Sequence, residues 1–318
     1  MGLGTRPFTH GLHDLGSGAF AWIQPDGGWG WSNAGLIVDH GESLLVDTLF
    51  DLRLTQEMLV AMQRATDDAR HIKTLVNTHA NQDHCNGNEL VGADEIISST
   101  ATYRELAQDD PDRLVNIMRN TPNMGSTGEF LQRCFGKFDF EGITMTLPNR
   151  TFDELLDLSV GDKTLRLKRV GPCHTQGDIL VHCVEDRLMF TGDILFIEGH
   201  PILWVGPVAN WISACDYMLE LDLETIVPGH GPITDKDGVR AVRDYLVYIR
   251  DEAYARYRAG MSVYDAAMDI SLTQFEDWGD SERIGVNVQT LYREFGDESK
   301  RQEPFSLMAQ IDRDRRSK

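Results

Sequence analysis

The stretch Thr78-His79-Ala80-Asn81-Gln82-Asp83-His84-Cys85-Asn86-Gly87-Asn88 says more about this protein than any other part of its sequence. It follows the short apolar run Thr74-Leu75-Val76, which is typical of a buried strand. His79, Asp83 and His84 place three potential metal ligands within six residues, in the kind of loop where a rigid scaffold presents functional groups. Imidazole and carboxylate together suit zinc, iron or manganese. Taken alone, the same residues are also compatible with an ordinary polar turn.

Four more polar residues lie at similar places, beside apolar runs or in loops bounded by Gly and Pro. They are Asp47 after Leu44-Leu45-Val46, His174 in Gly171-Pro172-Cys173-His174-Thr175-Gln176-Gly177-Asp178, Asp193 after Leu188-Met189-Phe190-Thr191-Gly192, and His230 in Val227-Pro228-Gly229-His230-Gly231-Pro232. Each has an ordinary structural explanation by itself. Their repetition along one chain predicts a single site assembled from strand ends.

The order and approximate spacing of these motifs resemble the metallo-β-lactamase superfamily, whose signature begins with His-x-His-x-Asp-His. In that family a His after a Gly-rich turn, an Asp after Thr-Gly and a His within Pro-Gly-His-Gly follow, as they do here from about Ala19 to Pro232. The resemblance implies an α/β fold, the αββα sandwich, in which two mixed sheets face each other and helices lie outside. It places the active site at one edge of the sandwich and says little about the substrate.

Carried over residue by residue, the resemblance implies a centre of two zinc ions. The implied ligands are His79 and His174 for the first metal, Asp83, His84 and His230 for the second, and Asp193 as a bridge between them. Asp47 matches the family's first acidic position, which supports the ligand loop from behind and is usually not a ligand.

Asn81 departs from the family's pattern, because it stands where the second His of His-x-His is expected. An amide oxygen is a weaker donor to zinc than an imidazole, so a ligand at Asn81 is expected to hold the first metal less tightly or to leave room for a water. A centre with only the second metal filled, or with iron or manganese in place of zinc, therefore stays open. Alternatively, Asn81 turns away and hydrogen-bonds the turn.

Such a centre implies hydrolysis of a small molecule. Metal binding lowers the pKa of water from about 15.7 towards 7, so a metal-bound hydroxide can attack an ester, thioester, lactone or amide. Asp83 is the expected catalytic residue, orienting this nucleophile or carrying its proton. One alternative is a mononuclear iron dioxygenase resembling the persulfide dioxygenases. Another is a degenerate member that binds metal without turnover, although retention of six of the seven expected ligands argues against it.

Three residues outside the ligand set are candidate substrate contacts. Trp29 and Trp31 lie in a loop that, in the resembling family, can overhang the metal site as a flap; packing in the core is the alternative. His200, in Glu198-Gly199-His200-Pro201, could reach the pocket or lie in a surface turn. Cys85 and Cys173 each adjoin an expected ligand histidine and are expected to pack in the interior, since neighbours on an extended turn point away from one another.

Charge and cysteine content narrow the class of partner and the compartment. The 318 residues include 30 Lys and Arg against 50 Asp and Glu, a formal charge of −20. This balance excludes a nucleic-acid partner and docking on an anionic membrane. Five cysteines without a Cys-x-x-Cys pair, together with an N-terminus that lacks the apolar stretch of a signal peptide, predict a cytoplasmic protein. A homo-oligomer is compatible with the sequence.

The hydrophobic pattern predicts how the chain is organised. Residues 1–240 are expected to form the sandwich, with a helical insert at 102–138, and residues 241–318 a C-terminal helical extension packed on it. Residues from Thr151 to Val160 predict a strand, and Lys163 to Val170 a second one, in which Leu165 and Leu167 alternate with Arg166 and Lys168. The charged residues from Asp312 to Lys318 are expected to be a frayed tail.

Overall fold

The computed structural model describes residues 2–110 and 112–316, in which a seven-stranded sheet faces a five-stranded one. The strands of the first sheet lie side by side in sequence order, antiparallel from β1 to β4 and parallel from β4 to β7. They are β1 Gly11–Gly16, β2 Ala19–Ile23, β3 Ala34–Asp39, β4 Glu42–Val46, β5 Thr74–Val76, β6 Glu95–Ser99 and β7 Arg150–Phe152. The sequence pattern did not predict β1 or β6.

The second sheet has the order β12-β11-β10-β9-β8, and only the β11–β12 pair is parallel. Its strands are β8 Leu155–Val160, β9 Lys163–Arg169, β10 Ile179–Cys183, β11 Leu188–Phe190 and β12 Thr225–Val227. The prediction of one strand from Thr151 to Val160 is therefore wrong. The exposed pair Asp153 and Glu154 forms a bend at which the chain passes from the first sheet to the second. Asp153-Glu154 followed by Leu155-Leu156 interrupts the alternation of apolar residues, but the pattern does not show whether the chain bends within one sheet or passes to another.

Side chains that alternate along the strands divide the interior into three layers, which confirms the predicted αββα sandwich. In β3, Leu36 packs outward with Met58 of helix α1 (Leu52–Ala65), whereas Ile37 points between the sheets towards Leu167 and its neighbours. On the far side, Met189 of β11 packs with Trp211 of α6 (Val208–Glu220). Each sheet is thus covered by helices on its outer face.

The remaining helices are a short one, which follows the loop after β5, the helices of the insert, and those of the C-terminal part of the chain. They are α2 Asn88–Val91, α3 Thr100–Leu106, α4 Arg113–Asn120, α5 Gly125–Phe135, α7 Lys236–Arg258, α8 Val263–Asp269, α9 Ile284–Glu294 and α10 Pro304–Arg316. Helices α3, α4 and α5 occupy the predicted insert, and residue 240 lies inside α7. The expected frayed tail is wrong as far as Arg316, because Ile311 is fully buried and Asp312 forms ion pairs with Arg133 and Arg316. Residues 317–318 of that prediction lie outside the described part of the chain.

The chain directs its polar loops to one edge of the two sheets. Asp47 follows β4, the loop from His79 to His84 follows β5, Asp193 follows β11 and His230 follows β12. His174 joins them from the loop between β9 and β10. Helices α5 and α10 pack against each other, and Phe135 of α5 and Phe305 of α10 border the cavity at this edge. No helix in the described part of the chain combines the length and hydropathy of a transmembrane span. A cytoplasmic location and a homo-oligomer stay predictions.

Candidate metal centre

Asp47 holds the loop that carries three of the expected ligands. It lies directly after β4 with a φ of +62°, a left-handed conformation that Asp tolerates better than most residues. Its buried carboxylate accepts hydrogen bonds from the backbone N and the Oγ1 of Thr78, both at 2.7 Å, and from Nδ1 of His84 at 3.0 Å. Burial raises the pKa of Asp47, although His84 and Thr78 oppose that shift. Asp47 therefore fixes both the start of the loop and the orientation of one ligand ring.

The four histidines of the site share one arrangement, in which Nδ1 of each ring is engaged by an oxygen. The pairs are His84 Nδ1 with Asp47 Oδ2 at 3.0 Å, His174 Nδ1 with the Ile202 carbonyl at 2.7 Å, His230 Nδ1 with the Gly27 carbonyl at 3.2 Å, and His79 Nδ1 with Thr78 Oγ1 at 2.9 Å. The Thr78 hydroxyl donates to Asp47, so it accepts from His79. When a ring is neutral, the hydrogen-bond network thus assigns its proton to Nδ1 and leaves the lone pair on Nε2, the atom available to a metal ion.

Asp193 lies in the middle of these four lone pairs. Its Oδ1 is 3.1 Å from Nε2 of His84 and 3.5 Å from Nε2 of His230. Its Oδ2 is 3.2 Å from Nε2 of His174 and 3.6 Å from Nε2 of His79. One carboxylate oxygen therefore faces each pair of histidines, which is the placement expected of a bridging ligand.

Several of these converging atoms are left without hydrogen bonds. Nε2 of His79, Nε2 of His84 and Oδ1 of Asp193 are buried and have no hydrogen-bond partner among the described residues. Lone pairs that face lone pairs in a buried place are costly, and a divalent cation between them removes that cost. Ligand atoms of His79, His84 and Asp193 lie within 4.8 Å of one another, and so do those of Asp83, His84 and His230. The residues present therefore fit a divalent metal with nitrogen and oxygen ligands.

The charge states of these groups also favour a cation. Burial alone would raise the pKa of Asp193, but His230 and His84 outweigh it and hold that pKa well below its usual range. Burial likewise opposes ionisation of Asp83, yet His84 and His230 lower its pKa overall. Burial lowers the pKa of His79 well below its usual value, so its imidazole stays neutral. Burial also opposes the charged form of His84, but Asp193 and Asp83 outweigh it and raise the pKa of His84 well above its usual value, so a metal ion at Nε2 of His84 would displace a proton. Ionised carboxylates and neutral imidazoles are the forms that bind metals.

Asn81 lies next to His174 and not in the middle of the cluster. Its Nδ2 donates a hydrogen bond of 2.8 Å to Nε2 of His174. His174 belongs to neither of the two groups of ligand atoms that converge within 4.8 Å around Asp193 and Asp83. The two halves of the centre are therefore built differently.

Two glycines of the motifs are required by close approach to this centre. A Cβ added to Gly229 would lie 2.1 Å from Oδ1 of Asp193. Gly192 has a φ of +48°, and its Cβ would lie 2.4 Å from Oγ1 of Thr78. The glycine before Asp193 and the glycine before His230 thus let the two strand-end loops pack directly against the ligands.

A cavity of about 420 Å³ opens above the centre, and large apolar residues make up much of its walls. Asp83, His174, Asp193 and His230 form its polar floor, and the charged residues Glu105, Arg113, Arg283 and Glu303 also line it. The large apolar residues of the lining are Trp29, Phe50, Leu114, Phe135, Phe196, Ile202, Trp204, Val205 and Phe305. The ring of Trp29 lies 5.8 Å from Phe135, 6.2 Å from Phe305 and 6.3 Å from Trp204 between centroids. These rings form an aromatic wall beside the metal centre.

The structure separates the two tryptophans of the early loop. Trp29 lines the cavity, donates from Nε1 to Oε1 of Glu282 at 2.8 Å, and lies with its ring 4.3 Å from the guanidinium carbon of Arg283. Trp31 packs on Phe138 at 4.8 Å and lines a neighbouring cavity of about 510 Å³ on the other side of Trp29. Only Trp29 of this pair is brought to the metal-centre cavity within the described residues.

His200 lies in the interior and not in a surface turn, so that alternative is wrong. Its ring is 5.2 Å from Tyr245 and 5.8 Å from Trp278, and it is absent from the described lining of the metal-centre cavity. Burial, aided by Arg283, lowers the pKa of His200 to about 3. The buried aromatic residues of the C-terminal helices keep this histidine away from the cavity, which a sequence motif of Gly, His and Pro could not indicate.

The two cysteines beside ligand histidines pack as buried thiols. Sγ of Cys85 donates to the carbonyl of His79 at 3.2 Å, and Sγ of Cys173 donates to the carbonyl of Val170 at 3.2 Å. Burial raises the pKa of both thiols far above the usual range. They therefore stay protonated at neutral pH.

The sequence did not indicate the residues that reach the cavity from the C-terminal helices. Arg283 is 1% exposed, donates from Nη1 to the carbonyl of His200 at 2.9 Å and pairs through Nη2 with Asp280 at 2.8 Å. Phe305 lies in the first turn of α10. An aromatic residue in an amphipathic helix has the same sequence pattern whether it meets a core or a cavity, so no local signal distinguished them.

Comparison with known proteins was made on the sequence and on the fold. A family profile described as "Metallo-beta-lactamase superfamily" matches residues 27–230. The acyl-coenzyme A thioesterase MBLAC2 of Homo sapiens is 25% identical over 236 residues, covering 68% of this chain and 79% of that protein. The linear primary-alkylsulfatase of Pseudomonas sp. (strain ATCC 19151) is 24% identical over 255 residues, covering 71% of this chain and 46% of that protein.

Among solved structures, the sec-alkylsulfatase Pisa1 of Pseudomonas sp. superimposes with a TM-score of 0.64 at 15% sequence identity. The match covers 91% of this chain and 51% of that one. The chain therefore spans about half the length of the alkylsulfatases it matches and most of the length of the thioesterase.

Proposed function

The chain belongs to the metallo-beta-lactamase superfamily and is a hydrolase of that superfamily, and we propose that its substrate is an ester or thioester of an apolar chain. One observation carries this proposal: Nε2 of four histidines converges on the Asp193 carboxylate at the base of a cavity with aromatic walls, and Nε2 of two of them and Oδ1 of Asp193 have no hydrogen-bond partner among the described residues. The polar floor accounts for bond cleavage, and the apolar wall accounts for the choice of substrate.

The proposed metal is zinc, with iron or manganese as the alternatives that the ligand types also allow. Asp83, His84, His230 and Asp193 would hold one ion, and His79 and His174 are the remaining family ligands. When bound, such a metal lowers the pKa of water and polarises the oxygen of the scissile group.

The protein's own residues then supply position and proton transfer. The Asp83 carboxylate lines the cavity, and its Oδ2 lies 3.3 Å from Nε2 of His230, which restrains it beside the floor. We assign to Asp83 the orientation of the attacking water and the acceptance of its proton, because its lowered pKa keeps it ionised at neutral pH. Asp47, through His84, holds the loop in this arrangement.

The walls of the cavity favour an extended apolar group. Trp29, Phe135, Trp204 and Phe305 meet edge to face or tilted and leave a space of about 420 Å³ that is adequate for an acyl or alkyl chain. The names of the two sequence relatives specify an acyl thioester and a linear alkyl sulfate, both of which carry such a chain. A thioester is preferred as the scissile group because MBLAC2 matches over the greater share of its own length.

The proposal is tested by a substrate panel on protein of known metal content. Hexanoyl- and decanoyl-coenzyme A, acetyl-coenzyme A, decyl sulfate, a lactone and a β-lactam are compared at equal concentrations, with oxygen uptake followed in parallel. The expected result is hydrolysis of the longer thioesters in preference to the acetyl compound, lost in Asp83→Ala and after treatment with a chelator. Full activity after complete metal removal, or wild-type activity and metal content in Asp83→Ala, would contradict the proposal. Bound iron with oxygen uptake and no hydrolysis would favour the dioxygenase.

A further inference from the structure

Asn81 makes the two halves of the metal centre unequal. We propose that the protein binds one divalent metal ion tightly, at Asp83, His84, His230 and Asp193, and that Asn81 closes the second place by occupying the ring nitrogen of His174. This inference rests on the proposed function and specifies how many ions the site uses.

The His174 ring has no free nitrogen to offer a second ion. Its Nδ1 donates to the carbonyl of Ile202 at 2.7 Å, which assigns the proton to that atom. The remaining Nε2 accepts a hydrogen bond of 2.8 Å from Nδ2 of Asn81. The ring is fully buried, so it cannot turn to present another atom. A second ion would have to displace the amide of Asn81 before it could bind His174.

Counting the ligands that remain shows how different the two places are. His84 belongs to both groups of converging ligand atoms, but its single Nε2 can bind only one ion. With that ion on the side of His230, only Nε2 of His79 and Oδ2 of the shared Asp193 remain on the side of His79, at 3.6 Å from each other. On the other side, His84, His230, Asp83 and Oδ1 of Asp193 supply four donors. Catalytic zinc sites use three protein ligands and structural sites four. The second side reaches that number and the first does not.

The same contact has a competing interpretation that the experiment must separate. If the amide of Asn81 were rotated so that Oδ1 faced His174, two lone pairs would meet at 2.8 Å and a cation between them would be required. Asn81 would then be a ligand and the centre would hold two ions. The observed pairing satisfies both groups without any cation, whereas Nε2 of His79, Nε2 of His84 and Oδ1 of Asp193 have no hydrogen-bond partner among the described residues. The atoms that require a cation therefore surround Asp193 and do not include Nε2 of His174.

The test counts metal rather than activity. Protein purified without added metal is dialysed against excess zinc, washed by gel filtration and measured by elemental analysis, and cobalt binding is followed by visible absorption as it is titrated. We expect about one equivalent per chain for the wild type and about two for Asn81→His, which restores the imidazole. Two equivalents of similar affinity in the wild type, or one in a folded Asn81→His variant, would overturn the inference.

A matched pair of ligand variants locates the ion independently of Asn81→His. His79→Ala is expected to keep about one equivalent of metal, whereas His230→Ala is expected to lose it under the same washing conditions. The opposite pattern would place the ion on the side of His79 and refute the assignment. A wild-type protein that hydrolyses thioesters with two tightly bound ions would refute only this inference, while a protein that binds no metal would refute the proposed function itself.

Discussion

The floor and the walls of the cavity differ in how their residues are held. The floor consists of polar residues at strand ends within residues 27–230, and Nδ1 of each of its histidines is engaged by an oxygen. The walls combine aromatic residues of the loops around the sheets, such as Trp29 and Trp204, with Phe135 of α5 and Phe305 of α10, which meet in an edge-to-face contact of 6.0 Å. The shared sandwich therefore determines the chemistry, and the loops and helices around it determine which molecule reaches it.

Removing the Asp193 carboxylate, the central group of the floor, should have the largest effect on metal binding and activity. Asp193→Ala deletes both oxygens that face the four histidine lone pairs, so we expect loss of bound metal and a fall in kcat/KM of about 10³-fold. Elemental analysis and thioester kinetics measure the two effects. Asp222→Ala, which alters an exposed carboxylate paired with Arg187, is the control and should change neither. Undiminished metal content in Asp193→Ala would show that the floor is not organised around this carboxylate.

Asp47, which lies behind the floor, should have a smaller effect on metal binding than Asp193. Asp47→Asn keeps the shape of the side chain but removes the charge that accepts from Nδ1 of His84 and from Thr78. Loss of such a supporting group typically lowers metal affinity by about 10- to 100-fold, and we expect that range here. A competition titration with a chromophoric chelator measures it. An unchanged dissociation constant would mean that the rest of the loop orients His84 without Asp47.

The same comparison explains what the sequence could and could not predict. Ligands must be His, Asp or a few other residue types at strand ends, so the residues of the floor were recognisable together with the sandwich that carries them. Trp204, Phe305 and Arg283 belong to no such pattern, because contact with a cavity is decided by how distant helices pack. Trp29 and Trp31 show this within one loop: both line the neighbouring cavity, but only Trp29 of the two also lines the metal-centre cavity.

The conformation of two segments of the fold also could not be predicted from their sequence. At Asp153 and Glu154 two consecutive polar residues break the apolar alternation, but they do not show that the chain passes there from one sheet to the other. The charged end of α10 has the composition of a tail, yet Ile311 lies in the core. Both errors arise where long-range packing, and not local propensity, determines the conformation.

Truncating the wall should change substrate preference and leave the floor intact. Phe305→Ala removes one ring of the aromatic wall, and loss of about 1–2 kcal/mol of apolar contact corresponds to a KM about 5- to 30-fold higher for decanoyl-coenzyme A. The KM for acetyl-coenzyme A and the metal content should not change. Tyr254→Ala, an exposed aromatic residue on α7, is the matched control. Equal changes for both thioesters would show that Phe305 does not select chain length.

The smallest effect is expected at the residue that joins floor and wall. Trp29→Phe keeps an aromatic ring in the wall but removes the Nε1 donor to Glu282, whose pKa is already raised by burial. The loop itself stays tied to the floor, because His230 Nδ1 donates to the carbonyl of Gly27. We therefore expect a KM for decanoyl-coenzyme A about 2- to 5-fold higher, the cost of about one hydrogen bond, with kcat and metal content retained.

Trp31→Phe is the control for this variant, since Trp31 lines the neighbouring cavity and should leave the KM unchanged. Equal effects of the two substitutions would indicate that the loop acts through its backbone alone. A loss of metal in Trp29→Phe would instead mean that this side chain helps to hold His230 through the loop. Trp29 would then affect metal binding as well as substrate preference, so the floor and the walls would not act separately in this loop.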